Sequence, residues 1–157
     1  VKSVNDLPDF LDYDITKGRT YLYSKNEPLF PFGYGLSYTS FEYTNLRTDK
    51  NSLSVDDQIV AHIDVKNMGK SDGDEVVQLY VRHLDSKIQR PIKELKGFRR
   101  IFIESGKTVH VQIPLRAADL VYWNSEKKQY ELERGRAELQ IGSSSDNIKH
   151  RVTIKIN

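Results

Sequence analysis

The chain has 157 residues, of which 38% are hydrophobic and 29% charged, and its 24 basic and 22 acidic side chains give a formal net charge of +2. This length predicts one domain with an appended arm, and the composition is too apolar for a disordered chain and too polar for a membrane protein. The basic residues are scattered rather than clustered, which argues against a nucleic-acid-binding protein.

The first 39 residues are aromatic, rich in turn residues and without clear periodicity. Pro28, Pro31, Gly33 and Gly35 interrupt any helix or central strand in this part of the chain. We therefore predict that residues 1–39 form an extended arm or interdomain linker, and that the folded domain occupies residues 40–157.

Aromatic side chains are concentrated in this arm more than in any other segment. Three interpretations are open: a surface for another domain, an arm folded back over its own domain, or a platform for a ligand. We favour the first, and the predicted interdomain packing residues are Phe30, Phe32, Tyr34, Leu36 and Tyr38.

Residues beyond 40 repeatedly alternate between apolar and polar side chains, which is typical of strands that bury one face. Seven strands are predicted in this way, at residues 41–47, 59–66, 77–82, 95–103, 109–115, 137–141 and 152–156. Residues 122–123 and 129–132 are expected to pair as a hairpin, and only residues 116–120 resemble a helical turn. Many short strands with almost no helix predict an all-β fold, an immunoglobulin-like antiparallel β-sandwich. Because no cysteine pair is present, we expect the fibronectin type III-like variety.

No residue pattern points to catalysis, to a metal or to another cofactor. His62, His83, His110 and His150 are widely spaced, and we expect surface or rim positions for them, although a sandwich can bring distant strands together. The segment 71–75, SDGDE, lacks the spacing of a calcium loop and is interpreted as a loop between strands. Asp56 and Asp57 are interpreted as a turn before the next strand.

The predicted hairpin carries Tyr122, Trp123 and Tyr130, which could contact a carbohydrate if they formed an exposed, coplanar strip. The competing interpretation, which we favour here, is that Trp123 fills the core of the sandwich.

Cysteine is absent, so disulfides and cysteine nucleophiles are excluded. No apolar run approaches the ~18 residues of a membrane span, and the first ten residues have neither an initiator Met nor a signal-peptide pattern. We therefore expect this chain to be a piece of a longer protein.

Several long motifs make the chain recognisable, and they appear in order along nearly all of it: PLFPFGYGLSYT (28–39), VKNMG (65–69), GDEVVQLYV (73–81), RPIKELKGF (90–98) and IGSSS (141–145). They resemble the C-terminal fibronectin type III-like domain of glycoside hydrolase family 3, the β-glucosidases and β-xylosidases. The upstream segments LP (7–8) and DYDITKGRTYLY (12–23) look more like the β-xylosidase branch.

This resemblance implies that catalysis takes place elsewhere in a longer parent enzyme. Members of the family are retaining exo-glycosidases whose catalytic carboxylates lie on a (β/α)8 barrel and the α/β sandwich domain that follows it. No residue of this chain matches either catalytic motif. The resemblance therefore implies a non-catalytic accessory domain whose partners are those two domains, with plant oligosaccharide as a further possible partner. It also implies a periplasmic or extracellular parent.

Overall fold

A computed structural model describes Ser3, Asn5, Leu7 and residues 9–157. The first residues of the predicted arm and Pro8 of its upstream motif lie outside the described residues. Within the described part, the chain is built from β-strands and short 3-10 helices. The strands are β1 (Phe41–Thr48), β2 (Ser52–Leu53), β3 (Gln58–Asn67), β4 (Gly73–His83), β5 (Glu94–Ile103), β6 (Thr108–Arg116), β7 (Tyr122–Asn124), β8 (Gln129–Glu131), β9 (Gly135–Gly142) and β10 (Ile148–Ile156).

Two sheets form the sandwich, and a separate hairpin projects beside them. The first sheet has the order β1-β3-β6, the second has the order β2-β10-β9-β4-β5, and β7 pairs only with β8. The predicted all-β sandwich is therefore confirmed. One detail differs from a purely antiparallel fold, because the two residues of β2 pair in parallel with Lys155 and Ile156. This strand is too short to produce a recognisable alternation, so the sequence did not predict it.

The core lies between the two sheets and follows the predicted alternation. Side chains with 3% exposure or less come from both sheets, as Ile59, Ala61, Ile63, Val65, Val77, Leu79, Val81, Val111, Ile113, Leu115, Ala137, Leu139, Ile141, Ile154 and Ile156. Each of the larger ones contributes roughly 1.5–3 kcal/mol through removal of apolar surface from water. The helical turn predicted at 116–120 is a 3-10 helix at Ala117–Leu120, and Leu120 closes one end of this core.

The β3–β4 connection is held by Asn67, a fully buried side chain at the end of β3. Its amide nitrogen donates to the carbonyl oxygens of Ser71 and Ile103 at 2.8 and 2.9 Å. Its amide oxygen accepts hydrogen bonds from the Thr39 hydroxyl at 2.6 Å and from the Gly69 backbone at 3.0 Å. One side chain therefore joins this loop, the end of β5 and the last residues of the arm.

Of the two acidic segments, the Asp56–Asp57 pair follows the sequence interpretation, and the segment 71–75 follows it only in part. Asp56 has a φ of 61° in the turn before β3, as predicted for the Asp56–Asp57 pair. Residues 71 and 72 belong to the β3–β4 loop, whereas Gly73, Asp74 and Glu75 are already part of β4, and Glu75 is buried. The loop interpretation is therefore wrong for residues 73–75, and the side chain of Glu75 lies at the edge of the core.

Candidate functional site

The arm is attached to the outward face of the five-stranded sheet. Gln78 and Tyr80 occupy polar positions in the alternation of β4, yet both are buried, because residues 32–33 of the arm cover them. The Tyr80 hydroxyl donates to Oε1 of Gln78 at 2.5 Å, and the Gln78 amide nitrogen donates to the carbonyls of Gly33 and Ser143. The backbone nitrogen of Ser145 donates to the Phe32 carbonyl at 2.8 Å.

An aromatic stack forms the second attachment of the arm. The ring of Tyr21 stacks on that of Phe32 with a centroid separation of 4.3 Å, and its edge faces Tyr80. The Tyr21 hydroxyl accepts a hydrogen bond from the Leu95 backbone, and the Ile92 backbone donates to the Leu22 carbonyl. The arm therefore folds back over its own sandwich at these residues, which was one of the three interpretations of its aromatic content.

Most of the predicted packing residues of the arm nevertheless face solvent. Phe30, Tyr34, Leu36 and Tyr38 are exposed, with Leu36 at 89% and Tyr38 at 102% of their reference areas. Phe32 both packs on the sandwich and faces solvent, because its ring stacks on Tyr21 while 45% of its surface stays exposed. We call this set of five residues the arm surface.

The apolar area continues from the arm surface onto β4 and β5. Val76, Phe98 and Phe102 are exposed on the outward face of these strands. A cavity of about 390 Å³ lies between the arm and the strands and is lined by both Tyr34 and Phe98. Sequence reasoning missed these three residues. The register of β4 and β5 would have identified the two phenylalanines, because Phe98 and Phe102 lie opposite Gln78 and Asp74, whose side chains point outward.

The β7–β8 hairpin presents a second aromatic group. Trp123 and Tyr130 are 51% and 70% exposed, and their rings meet edge to face at 5.2 Å with an interplanar angle of 70°. The prediction that Trp123 fills the core is wrong, because β7 lies outside both main sheets and no core is available to it. The rings are exposed as a carbohydrate contact requires, but they do not form a coplanar strip.

A nearly buried ion pair supports the base of this hairpin. Nε of Arg90 lies 2.8 Å from Glu133, and the guanidinium lies over the Tyr122 ring, 5.2 Å from its centroid. Burial opposes ionisation of Glu133, but hydrogen bonds from the Lys87 backbone, Arg90 and Ser86 outweigh it and hold the pKa of Glu133 below its ordinary value. A cavity of about 580 Å³ beside this pair is lined by Arg90, Tyr122 and Trp123.

The four histidines occupy different environments. His62 is partly exposed and His110 is exposed, and the two rings lie against each other on the three-stranded sheet. The sandwich thus brings together two histidines that are distant in the sequence. Burial lowers the pKa of His83 to about 4, and nearby Arg90 acts in the same direction. Nε2 of His150 lies 2.6 Å from the Tyr43 carbonyl oxygen. Among the described residues, no three or more His, Cys, Asp or Glu side chains converge to hold a metal ion.

No helix in the described part of the chain is long and apolar enough to cross a membrane.

Comparison with known proteins identifies the relatives of the chain. The family described as "Fibronectin type III-like domain" matches residues 75–145. The chain is 42% identical to thermostable β-glucosidase B of Acetivibrio thermocellus over 83% of its own length and 17% of that protein. It is 38% identical to the xylan 1,4-β-xylosidase of Xylanibacter ruminicola over 99% of its length and 18% of that protein.

A periplasmic β-glucosidase of Salmonella typhimurium is 36% identical over 82% of the chain and 17% of its own length. The crystal structure of a β-D-glucoside glucohydrolase from Trichoderma reesei superimposes on all of the chain and 26% of the enzyme, with a TM-score of 0.85 at 25% identity. The chain thus spans about a sixth of the length of these curated relatives.

Proposed function

The chain belongs to the fibronectin type III-like domains of glycoside hydrolase family 3 enzymes, and from this premise we propose that it is a non-catalytic accessory domain of a β-glucosidase or β-xylosidase. The parent would hydrolyse terminal β-D-glucosides or β-D-xylosides with retention of configuration. The chain would pack on the (β/α)8 barrel and the α/β sandwich domain of the same parent and stabilise their arrangement.

The arm surface is the observation that carries this proposal. Soluble monomers rarely leave a contiguous apolar patch of this kind in water, and such patches usually mark an interface. Here Phe30, Tyr34, Leu36 and Tyr38 extend into the exposed side chains of β4 and β5. The hydrogen bonds of Gln78 and Ser145 fix the backbone of the arm, so that its outward side chains form a prepared surface.

The test compares the intact parent enzyme with a variant of the arm surface. We expect the double substitution Leu36→Ser and Tyr38→Ser to lower the Tm of the parent by several degrees, because the side chains would lose a buried apolar contact. Val55→Ser is the matched control, since Val55 is 66% exposed but lies in the β2–β3 turn, away from the arm. An unchanged Tm for the double variant, or an equal loss for the control, would overturn the role of the arm surface.

The absence of catalysis is tested on the chain itself. We expect no hydrolysis of aryl β-glucosides or aryl β-xylosides by the 157-residue chain under conditions where the parent is active. Turnover by the chain alone would overturn the accessory-domain proposal.

A periplasmic or extracellular location of the parent is part of the proposal. The periplasmic relative from Salmonella typhimurium supports it. Cell fractionation of the native source, with activity and immunoblot readouts, would place the parent, and a cytoplasmic parent would contradict the proposal.

Carbohydrate binding at the hairpin is the second candidate, favoured by the exposure of Trp123 and Tyr130. Titration calorimetry with xylo- and cello-oligosaccharides decides between the two functions. Saturable heat that is lost in Trp123→Ala and Tyr130→Ala, but kept in the control Phe102→Ala, would establish binding at the hairpin. The 70° angle between the rings leads us to expect no saturable heat, since a sugar face stacks best on a flat platform.

A further inference from the structure

The outward face of the three-stranded sheet brings together two histidines that are 48 residues apart in the chain. Nδ1 of His62 lies 3.1 Å from Nε2 of His110, and the ring planes differ by 24°. The register explains this meeting, because Asp64 pairs with His110 and His62 pairs with Gln112, so that the two histidines are diagonal neighbours on one face. Neither ring is part of the core.

Asp64 determines which nitrogen of His110 faces His62. Its Oδ1 lies 2.7 Å from Nδ1 of His110, and its Oδ2 accepts a 2.8 Å hydrogen bond from the Asn45 amide. An aspartate carboxylate has only acceptor oxygens, so this short contact requires Nδ1 of His110 to be the donor. The proton of His110 therefore resides on Nδ1, and the lone pair of Nε2 is directed at His62.

We propose that Nδ1 of His62 and Nε2 of His110 are the two protein ligands of a divalent transition-metal site. Metal–nitrogen bonds of about 2.0 Å from both atoms would span their 3.1 Å separation at an angle of roughly 100°, between square-planar and tetrahedral values. A carboxylate that accepts from the far nitrogen of a ligating histidine is the usual support of such sites, and Asp64 occupies that position. Cu²⁺ is the preferred ion, because imidazole sites follow the Irving–Williams order.

Neighbouring residues determine the metal affinity of this site and the protons that are exchanged when the metal binds. Water completes the coordination shell, because Asp64 lies behind His110 and does not face the metal position. Arg47 pairs with His62 on the neighbouring strand, and its positive charge opposes the cation, so the affinity should lie far below that of a four-ligand site. On binding, the proton that His62 shares with His110 leaves Nδ1, and Nε2 of His62 takes up a proton from water, so the ring stays neutral.

Titration of the chain with Cu²⁺ at pH 7.5, in a buffer that does not bind copper, tests the proposal by calorimetry and electron paramagnetic resonance. We expect saturation at one equivalent and a spectrum with nitrogen ligands. His62→Gln and His110→Gln should each lower the affinity roughly tenfold or more, and Asp64→Ala about 10- to 100-fold through loss of ring orientation. His150→Gln is the matched control and should bind like the wild type.

Two further measurements distinguish copper binding at the two histidines from non-specific metal binding and from a loss of folding in the variants. Mg²⁺ should give no heat, because it prefers oxygen ligands, and Zn²⁺ should bind more weakly than Cu²⁺. Because His62 and His110 occupy outward positions, their variants should unfold at the same urea concentration as the wild type. The proposal is overturned if wild type and both histidine variants give the same isotherm, or if His150→Gln loses as much affinity as they do.

Discussion

The hydroxyl of Tyr43 donates a 2.7 Å hydrogen bond to Oε1 of Glu75 at the edge of the sandwich core, joining β1 of one sheet to β4 of the other. Both side chains are buried, with exposures of 5% and 9%. Burial raises the pKa of the Glu75 carboxyl, while Tyr43 and Lys149 act in the opposite direction. Burial also raises the pKa of the Tyr43 phenol, and Glu75 adds to this increase. The pair therefore links the two sheets with a carboxylate that is costly to ionise.

Glu75→Gln should make the chain more stable at neutral pH. Because the folded pKa of Glu75 lies above its unfolded pKa, its contribution to stability is complete below the ordinary carboxyl range and is lost as the pH rises through the folded pKa. Glutamine keeps an oxygen for the Tyr43 hydroxyl and removes this loss. Urea unfolding at pH 4.5 and 7.5 should show a smaller decrease with pH for the variant. Asp56→Asn, an exposed control, should leave the free energy of unfolding at pH 7.5 unchanged, and an equal pH dependence of wild type and Glu75→Gln would contradict the prediction.

Tyr43→Phe should destabilise the chain at pH 7.5, because it leaves a buried carboxylate without its hydroxyl donor. The expected loss is about 1.5–3 kcal/mol of unfolding free energy, the usual range for a hydrogen bond to a charged group. In the background of Glu75→Gln the same change should cost less, and a double-mutant cycle measures the difference. Equal costs in both backgrounds would mean that the contribution of the Tyr43 hydroxyl does not depend on the charge of the Glu75 carboxylate.

His83→Gln should reduce the loss of unfolding free energy that accompanies a fall in pH from 7 to 4. The pKa of His83 is lowered to about 4, so its contribution is present above the ordinary histidine pKa and is lost as the pH falls toward 4. The wild type should lose on the order of 2 kcal/mol more than the variant between pH 7 and pH 4. Chemical unfolding across this range checks the slope, and parallel profiles for the two proteins would show that His83 is not the group responsible.

Asn67→Ala, at the end of β3, should be one of the more destabilising single substitutions of a polar residue in this chain. It removes two donors to backbone carbonyls and the acceptor of Thr39 and Gly69, inside a fully buried site. Unfolding free energy should fall by about 2–4 kcal/mol, since several buried groups lose their partners together. Asn157→Ala, whose side chain makes a 3.4 Å contact at the exposed chain end, should cost less than about 0.5 kcal/mol. A loss below 1 kcal/mol for Asn67→Ala would indicate that water replaces the side chain.

Gly33→Ala should loosen the arm without unfolding the sandwich. Gly33 has a φ of 79°, which strains any residue with a Cβ, and the added Cβ would lie 2.2 Å from Oε1 of Gln78. The Gln78 amide, which donates to the Gly33 carbonyl, or the arm itself must therefore shift. Trypsin cleavage at the exposed Lys25 should accelerate about tenfold, which corresponds to a little over 1 kcal/mol of opening free energy. Gly106→Ala is the control, because its φ is 73° but no atom lies within 4 Å of the added Cβ. If both variants are cleaved at the same rate, Gly33 does not hold the arm in place.

The sequence by itself determined the sandwich and its core. Strands β3, β6, β9 and β10 show period-two alternation because each buries one face. The residues of each strand alone are enough to show which face that is. The ordered motifs from residue 28 to residue 145 also identified the family, which the comparisons confirm.

Only the tertiary structure decided what covers the outward faces of the strands. Gln78 and Tyr80 occupy outward positions of β4, and they are buried because Phe32 and Gly33, more than forty residues earlier in the chain, lie over them. Trp123 is exposed for the opposite reason, since its hairpin pairs with neither sheet. The alternation of residues shows which face of a strand is apolar. Contacts between distant segments depend instead on the register of the strands and on the path of the arm, and neither can be read from a local sequence pattern.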